Sequence, residues 1–173
     1  MKKIFMASLV VTSLFTTANT YAQGDKSKRP SPPATATATT ASGNTITINY
    51  SQPSVKGRTI GTDIATFGKV WRTGANEATV FEISKDAKIE GKYTLPAGKY
   101  GLYTLPGEKT WTIIFNKTWN QWGTNYTQGD DALRVDVPSQ KAPQFTEKMT
   151  IQAAKDGKVT LMWGDRSVSF TVK

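Results

Sequence analysis

The sequence predicts an all-β protein: a two-sheet antiparallel β-sandwich of about nine short strands, with at most one or two short helical turns. Three observations carry this expectation. From Thr45 onward apolar side chains recur at every second position, the period of a half-buried strand. Pairs such as Pro106-Gly107, Asp156-Gly157 and Gly164-Asp165 divide the runs at hairpin-like intervals. Only Thr62 to Phe67 offers a helix start, with Thr62 or Asp63 able to cap one or two turns.

Taken in order, Ile46, Ile48 and Tyr50 alternate with Thr45, Thr47 and Asn49, and Phe81 and Ile83 alternate with Val80, Glu82 and Ser84. A short strand is expected over Ala87 to Tyr93. Pro96-Ala97-Gly98 then leads into an alternation through Tyr100, Leu102 and Thr104, and Trp111, Ile113 and Phe115 form the next. Leu133, Val135 and Val137 follow. The last three runs are built on Met149, Ile151 and Ala153, on Val159, Leu161 and Trp163, and on Val168, Phe170 and Val172, and they read as a meander of hairpins. Such a pattern of short strands and turns suits two packed sheets. The expected core is Ile46, Ile48, Phe81, Ile83, Leu102, Ile113, Phe115, Leu133, Val135, Ile151, Leu161, Phe170 and Val172.

Upstream the pattern changes. Lys2 and Lys3 precede an apolar run from Ile4 to Phe15, and small and polar residues lead to Ala22. This is the layout of a secretory signal peptide over residues 1–22, cut after Ala22. The run is too short for a membrane span, which needs about 20 apolar residues. No cysteine follows it to take a lipid. The expected mature protein is periplasmic or secreted, has no transmembrane segment and begins at Gln23. Residues 23–42 are low in complexity, passing from Lys28-Arg29-Pro30-Ser31-Pro32-Pro33 into an Ala/Thr alternation. With few large apolar side chains to offset ordering entropy, they read as an extended leader, protease-sensitive from 23 to about 40, with room for part of it to lie against the domain. The β-sandwich domain is then expected over residues 43–173.

Composition narrows the chemistry. The chain has no histidine and no cysteine. That removes Ser-His-Asp and Cys-His catalysis, thiolate zinc sites and disulfides. No cofactor and no metal are expected. The net charge is +9, or +7 once Lys2 and Lys3 are removed with the signal. This modest, dispersed excess serves solubility and is compatible with attraction to anionic envelope surfaces. Nucleic acid is not an expected partner of an exported chain.

Several runs are distinctive. They are Tyr50-Ser51-Gln52-Pro53-Ser54-Val55-Lys56-Gly57-Arg58, Gly68-Lys69-Val70-Trp71-Arg72-Thr73-Gly74-Ala75-Asn76-Glu77-Ala78-Thr79, Leu95 to Leu102, Trp111-Thr112-Ile113-Ile114-Phe115-Asn116 and Gln121-Trp122-Gly123. Together, from Ser31 to Lys173, they resemble the bacterial family catalogued as domain of unknown function 2911. The resemblance implies an exported β-sandwich and brings no catalytic residues.

Two polar constellations interrupt the strands. In Trp71 to Glu77, Arg72 offers a planar fork for a carboxylate, phosphate or sulfate, Trp71 a flat apolar face, and Gly74 a backbone free to take positive φ. Arg58 lies nearby in sequence. These residues fit an anion or sugar pocket, but loop residues of this kind more often form a structural corner, with Trp71 in the core and Arg72 paired to Glu77 or to backbone carbonyls. In Asn116 to Tyr126, Trp119, Trp122 and Tyr126 stand among four side-chain amides, the mixture of platforms and placed polar groups that a polar ligand uses. The same residues fit a long connection pinned to the sandwich, its amides serving turns. The candidate ligand residues are Arg58, Trp71, Arg72, Asn76, Asn116, Trp119 and Trp122, with no catalytic set. Three functions compete: a non-catalytic binding module for a polar, anionic or glycan-like envelope ligand, a structural or interaction protein, and a hydrolase using paired carboxylates. Asp130-Asp131, Glu77 and Glu82 are the acids available to the last, and their spacing does not announce two acids across a cleft.

Overall fold

The computed structural model describes residues 25–173, so the expected signal peptide and its cleavage point lie outside the described residues. The chain is all-β. Nine strands run β1 Pro33–Thr39, β2 Thr45–Ser51, β3 Thr79–Ile83, β4 Ala87–Ile89, β5 Tyr93–Leu95, β6 Gly98–Leu105, β7 Thr110–Asn116, β8 Asp131–Ala153 and β9 Lys158–Thr171. Seven form a curled antiparallel sheet in the order β1-β2-β3-β6-β7-β8-β9, and β4-β5 make a small second sheet.

Curling is accomplished by β8. Its first part, to Pro138, pairs with β7, and from Ser139 it pairs with β9. Register shifts between Lys141 and Thr146 and between Thr146 and Thr150 bend it on the way. The segment after β2 then reaches across. Val55 donates its N–H to the Glu147 carbonyl and Met149 donates to the Pro53 carbonyl, each at 2.9 Å. The Tyr50 hydroxyl accepts the Ile151 N–H at 3.0 Å. These bonds draw the two ends of the sheet together around one core.

Side chains on the inward period fill that core. Phe81, Phe115, Phe170 and Tyr100 meet there, with Phe81–Phe115 ring centroids 5.0 Å apart and tilted at 67°. Every expected core residue is buried except Leu133, which is partly buried against the cluster.

Four sequence expectations are corrected. The Ala/Thr stretch does more than lie in part against the domain: it is a strand of it, β1, paired with β2 along its whole length from Pro33↔Ser51 to Thr39↔Thr45. Small side chains suffice because the strand is an edge that buries Ala36 and bonds through its backbone and threonines, so the domain begins about ten residues before 43. Ala87 to Tyr93 is a hairpin rather than one strand, since Glu90 and Gly91 both take positive φ and turn the chain. Thr62 to Phe67 folds back instead of coiling, because Gly61 at φ 100° lets the Phe67 ring lie directly on it. Gly164-Asp165 is not a hairpin either. Gly164, at φ 58°, bends β9 without ending it, so only Asp156-Gly157 turns the chain between two long strands.

Candidate functional site

On the face of the sheet opposite the main core, Ala78, Tyr103 and Ile114 form a small separate cluster beneath Val70, Leu105 and Tyr126. Both polar constellations meet over it. Trp71 pairs with Thr104 of β6 through two backbone bonds of 2.7 and 2.9 Å, just past the point where β3 leaves that edge. The chain between Trp71 and β3 loops outward and returns beside the second constellation. Ala78 donates to the Gln121 carbonyl and Gly123 donates to the Asn76 carbonyl, both at 3.0 Å, with Glu77 facing Trp122. The two stretches, more than forty positions apart in sequence, thus make a miniature antiparallel pair.

Each candidate residue has a definite place. Trp71 is half-buried, stacked on Trp163 at 5.1 Å and set edge-on to Trp111 at 6.2 Å, which holds its ring rigidly. Asn76 stands at φ 62° and donates to the Ser31 carbonyl and the Ser51 hydroxyl. Asn116 is fully buried. Its amide donates to the Thr127 carbonyl and an Asp131 oxygen and its carbonyl accepts the Thr118 N–H, so it ties the 117–130 connection to β7 and β8. Trp119 lies under the Lys99 ammonium, 5.2 Å from its ring centre. Trp122 is 49 % exposed. Arg58 sits apart, donating to the Ser54 and Val55 carbonyls beside Phe145. Trp71, Arg72, Asn76 and Trp122 are therefore brought together, while Asn116 acts behind them and Arg58 and Trp119 lie outside.

Arg72 is the distinctive member. Sequence reasoning allowed it to pair with Glu77, but Glu77 is held by Arg29, whose Nη1 lies 3.0 and 2.8 Å from the two carboxylate oxygens, and by Lys26 at 3.2 Å. Partial burial would raise the Glu77 carboxyl, yet hydrogen bonds from its own N–H, Arg29 and Lys26 outweigh it and hold the pKa at about 2. Among the described residues Arg72 makes no ion pair, and its Nε is buried with no hydrogen-bond partner. The stem rests on Gly123. A Cβ there would stand 2.3 Å from Arg72 Cδ, so glycine is what admits the side chain. Gly74 likewise serves close packing, its missing Cβ leaving room for Thr79 Oγ1, while the positive φ angles of this loop fall on Thr73 and Asn76.

Arg72 borders a concavity of about 280 Å³ lined also by Val70, Trp71, Tyr103, Gly123, Thr124 and Tyr126. No carboxylate is among these residues. Tyr103, missed by sequence reasoning because it reads as an ordinary alternating strand residue, forms the floor. Its hydroxyl accepts from Gln121 at 3.1 Å. Burial pushes its pKa up, and the Gln121 bond and the Arg72 charge pull it partly back. The nearest acid network is closed on itself. Asp131 accepts from Asn116, from the Tyr126 hydroxyl at 2.7 Å and from Arg134 at 2.9 Å, and burial with the Asp131 bond pushes Tyr126 up to about 12. Asp130 accepts from Thr118, and Glu82 pairs with Lys99.

These features define a curled β-sheet protein with a donor-lined cationic recess outside its core. The chain belongs to the family described as "Protein of unknown function (DUF2911)", whose model matches residues 31–172. No curated protein and no solved structure matches it. Among the described residues, no helix is long and apolar enough to cross a membrane.

Proposed function

We propose that this chain is an exported, non-catalytic binding module whose ligand is a polar, anionic molecule of the cell envelope seated on Arg72. The observation that carries the reading is Arg72, which lines a recess with no carboxylate and makes no ion pair or hydrogen bond among the described residues. An oxyanion in the recess would supply the acceptor that the guanidinium lacks. Charge-assisted bonds to a guanidinium fork are among the strongest single contacts a protein offers a ligand. Nothing in the arrangement favours hydrolysis, since the acids considered for it are each engaged by neighbours.

Thermal unfolding of the mature protein against a panel of anionic envelope components tests the reading. A ligand present at about ten times its Kd adds roughly 1.4 kcal/mol, a rise of about 4–7 °C for a domain of this size. That rise should vanish in Arg72→Ala. Stabilisation of equal size in the variant would remove Arg72 from the site. The structural reading has its own support, because Trp71, Asn76 and Asn116 are knit into the fold. It expects no stabilisation by any anion, and a lower melting temperature in Arg72→Ala.

A further inference from the structure

Resting on the anion-site reading above, we infer that the ligand is a small organic monocarboxylate with a C–H-rich body. Charge comes first. Arg72 is the one charged residue lining the recess, and the neighbouring Arg134 is already committed to Asp131 and Tyr126. A phosphate monoester carries a charge of about −1.5 to −2 at neutral pH, so one guanidinium would leave part of it desolvated and unpaired. A carboxylate carries a single charge and is matched by one guanidinium.

Geometry points the same way. No nitrogen of the Arg72 guanidinium has a hydrogen-bond partner among the described residues, and Nε is the buried one. The terminal pair is the open edge, and it presents two parallel N–H groups to two coplanar oxygens, the shape of a carboxylate. Tyr103 adds a further donor, because its hydroxyl accepts from Gln121 and keeps its own proton to give.

The remaining wall is apolar. Val70 and Tyr126 supply it, and the Tyr126 ring packs on Tyr103 with centroids 4.9 Å apart. A ring held in this way is a platform for the C–H face of a sugar or for an aromatic body, at little cost in entropy. At about 280 Å³ the recess lies just below the ~300–1,000 Å³ typical of drug-sized ligands, so the body is small.

The test is isothermal titration of the mature protein with five probes: a hexuronate and benzoate as carboxylates on a sugar and on an aromatic body, glucose as the neutral control, glucose 6-phosphate as the dianion, and inorganic sulfate. The expected result is binding of at least one carboxylate at about millimolar Kd or tighter, with glucose, glucose 6-phosphate and sulfate each at least about tenfold weaker. Preference between hexuronate and benzoate assigns the body as sugar or aromatic. Arg72→Lys, which keeps the charge and loses the fork, should weaken the carboxylate at least about tenfold, with circular dichroism reporting its fold. Equal or tighter binding of glucose 6-phosphate or sulfate overturns the monocarboxylate class while leaving the anion site standing. Binding of no anion overturns both.

Discussion

Substituting alanine for Gly123 perturbs the recess without touching its chemistry. Its backbone takes an ordinary φ, so the effect comes from the added methyl alone. That Cβ would lie 2.3 Å from Arg72 Cδ, 3.0 Å from Arg72 Cβ and 2.8 Å from the Asn76 carbonyl oxygen. The arginine can swing away, because a flexible stem gives easily. The Asn76 carbonyl belongs to backbone and must retreat by a few tenths of an ångström, straining the 3.0 Å bond it accepts from Gly123. Overpacking of this kind costs about 1–3 kcal/mol, a weakened backbone bond included. Urea unfolding followed by tryptophan fluorescence should show that loss with an unchanged m-value. Ligand affinity should fall far more than stability, because the swing takes the guanidinium off the recess. A variant as stable as wild type that still binds the ligand equally well would refute the claim that Gly123 seats Arg72.

Three further outcomes follow from the fold. Phe115→Ala removes a fully buried ring that meets Phe81, Tyr100 and Phe170, and should cost ~3–5 kcal/mol in chemical unfolding, whereas a loss under ~1 kcal/mol would place the ring outside the core. The Glu77 carboxyl sits at about 2, below its ordinary 4.5, so its contribution is present above pH 4.5 and lost as the pH falls towards 2. With the side chain 40 % exposed, solvent screening reduces that contribution to about 0.5–1 kcal/mol, and Glu77→Gln should flatten the stability profile across that window. Limited proteolysis of the mature protein with proteinase K, which needs no basic residue, should trim the chain before Pro33 and spare β1, as mass spectrometry would show, and loss of residues 33–39 without unfolding would contradict the pairing of β1 with β2.

The period-two pattern makes the strands and most of the core legible in the sequence. Phe81, Ile113, Phe115 and Phe170 fall inside because alternation fixes which face each occupies. What the pattern hid was pairing. Thr35, Thr37 and Thr39 look like a polar leader until β2 supplies the partner edge, and edge strands owe their order to backbone bonds that composition does not display. The run from Leu133 to Ala153 reads as two strands because its middle lacks alternation, yet a bulged strand can turn a corner unbroken. For the site, convergence of the two irregular stretches was visible in their residue types, but the role of each residue was not. Asn116 and Asn76 are good ligand residues by chemistry and became structural once buried backbone groups lay within their reach. Arg58 was close in sequence only. Tyr103 carried no signal, since its importance comes from Arg72 lying above it.

The central claim is that Arg72 is open to an anion. Its most direct measurement is the side-chain Nε–H resonance of Arg72 in the nitrogen-15 spectrum of the mature protein, followed through a titration with the carboxylate that binds. A saturable downfield shift of that resonance is expected, as the guanidinium gains a charged acceptor. The backbone amides of Gly123 and Thr124 should move with the same Kd. Saturable shifts centred on Arg58 and the surface lysines instead, with the Arg72 resonance unmoved, would contradict it.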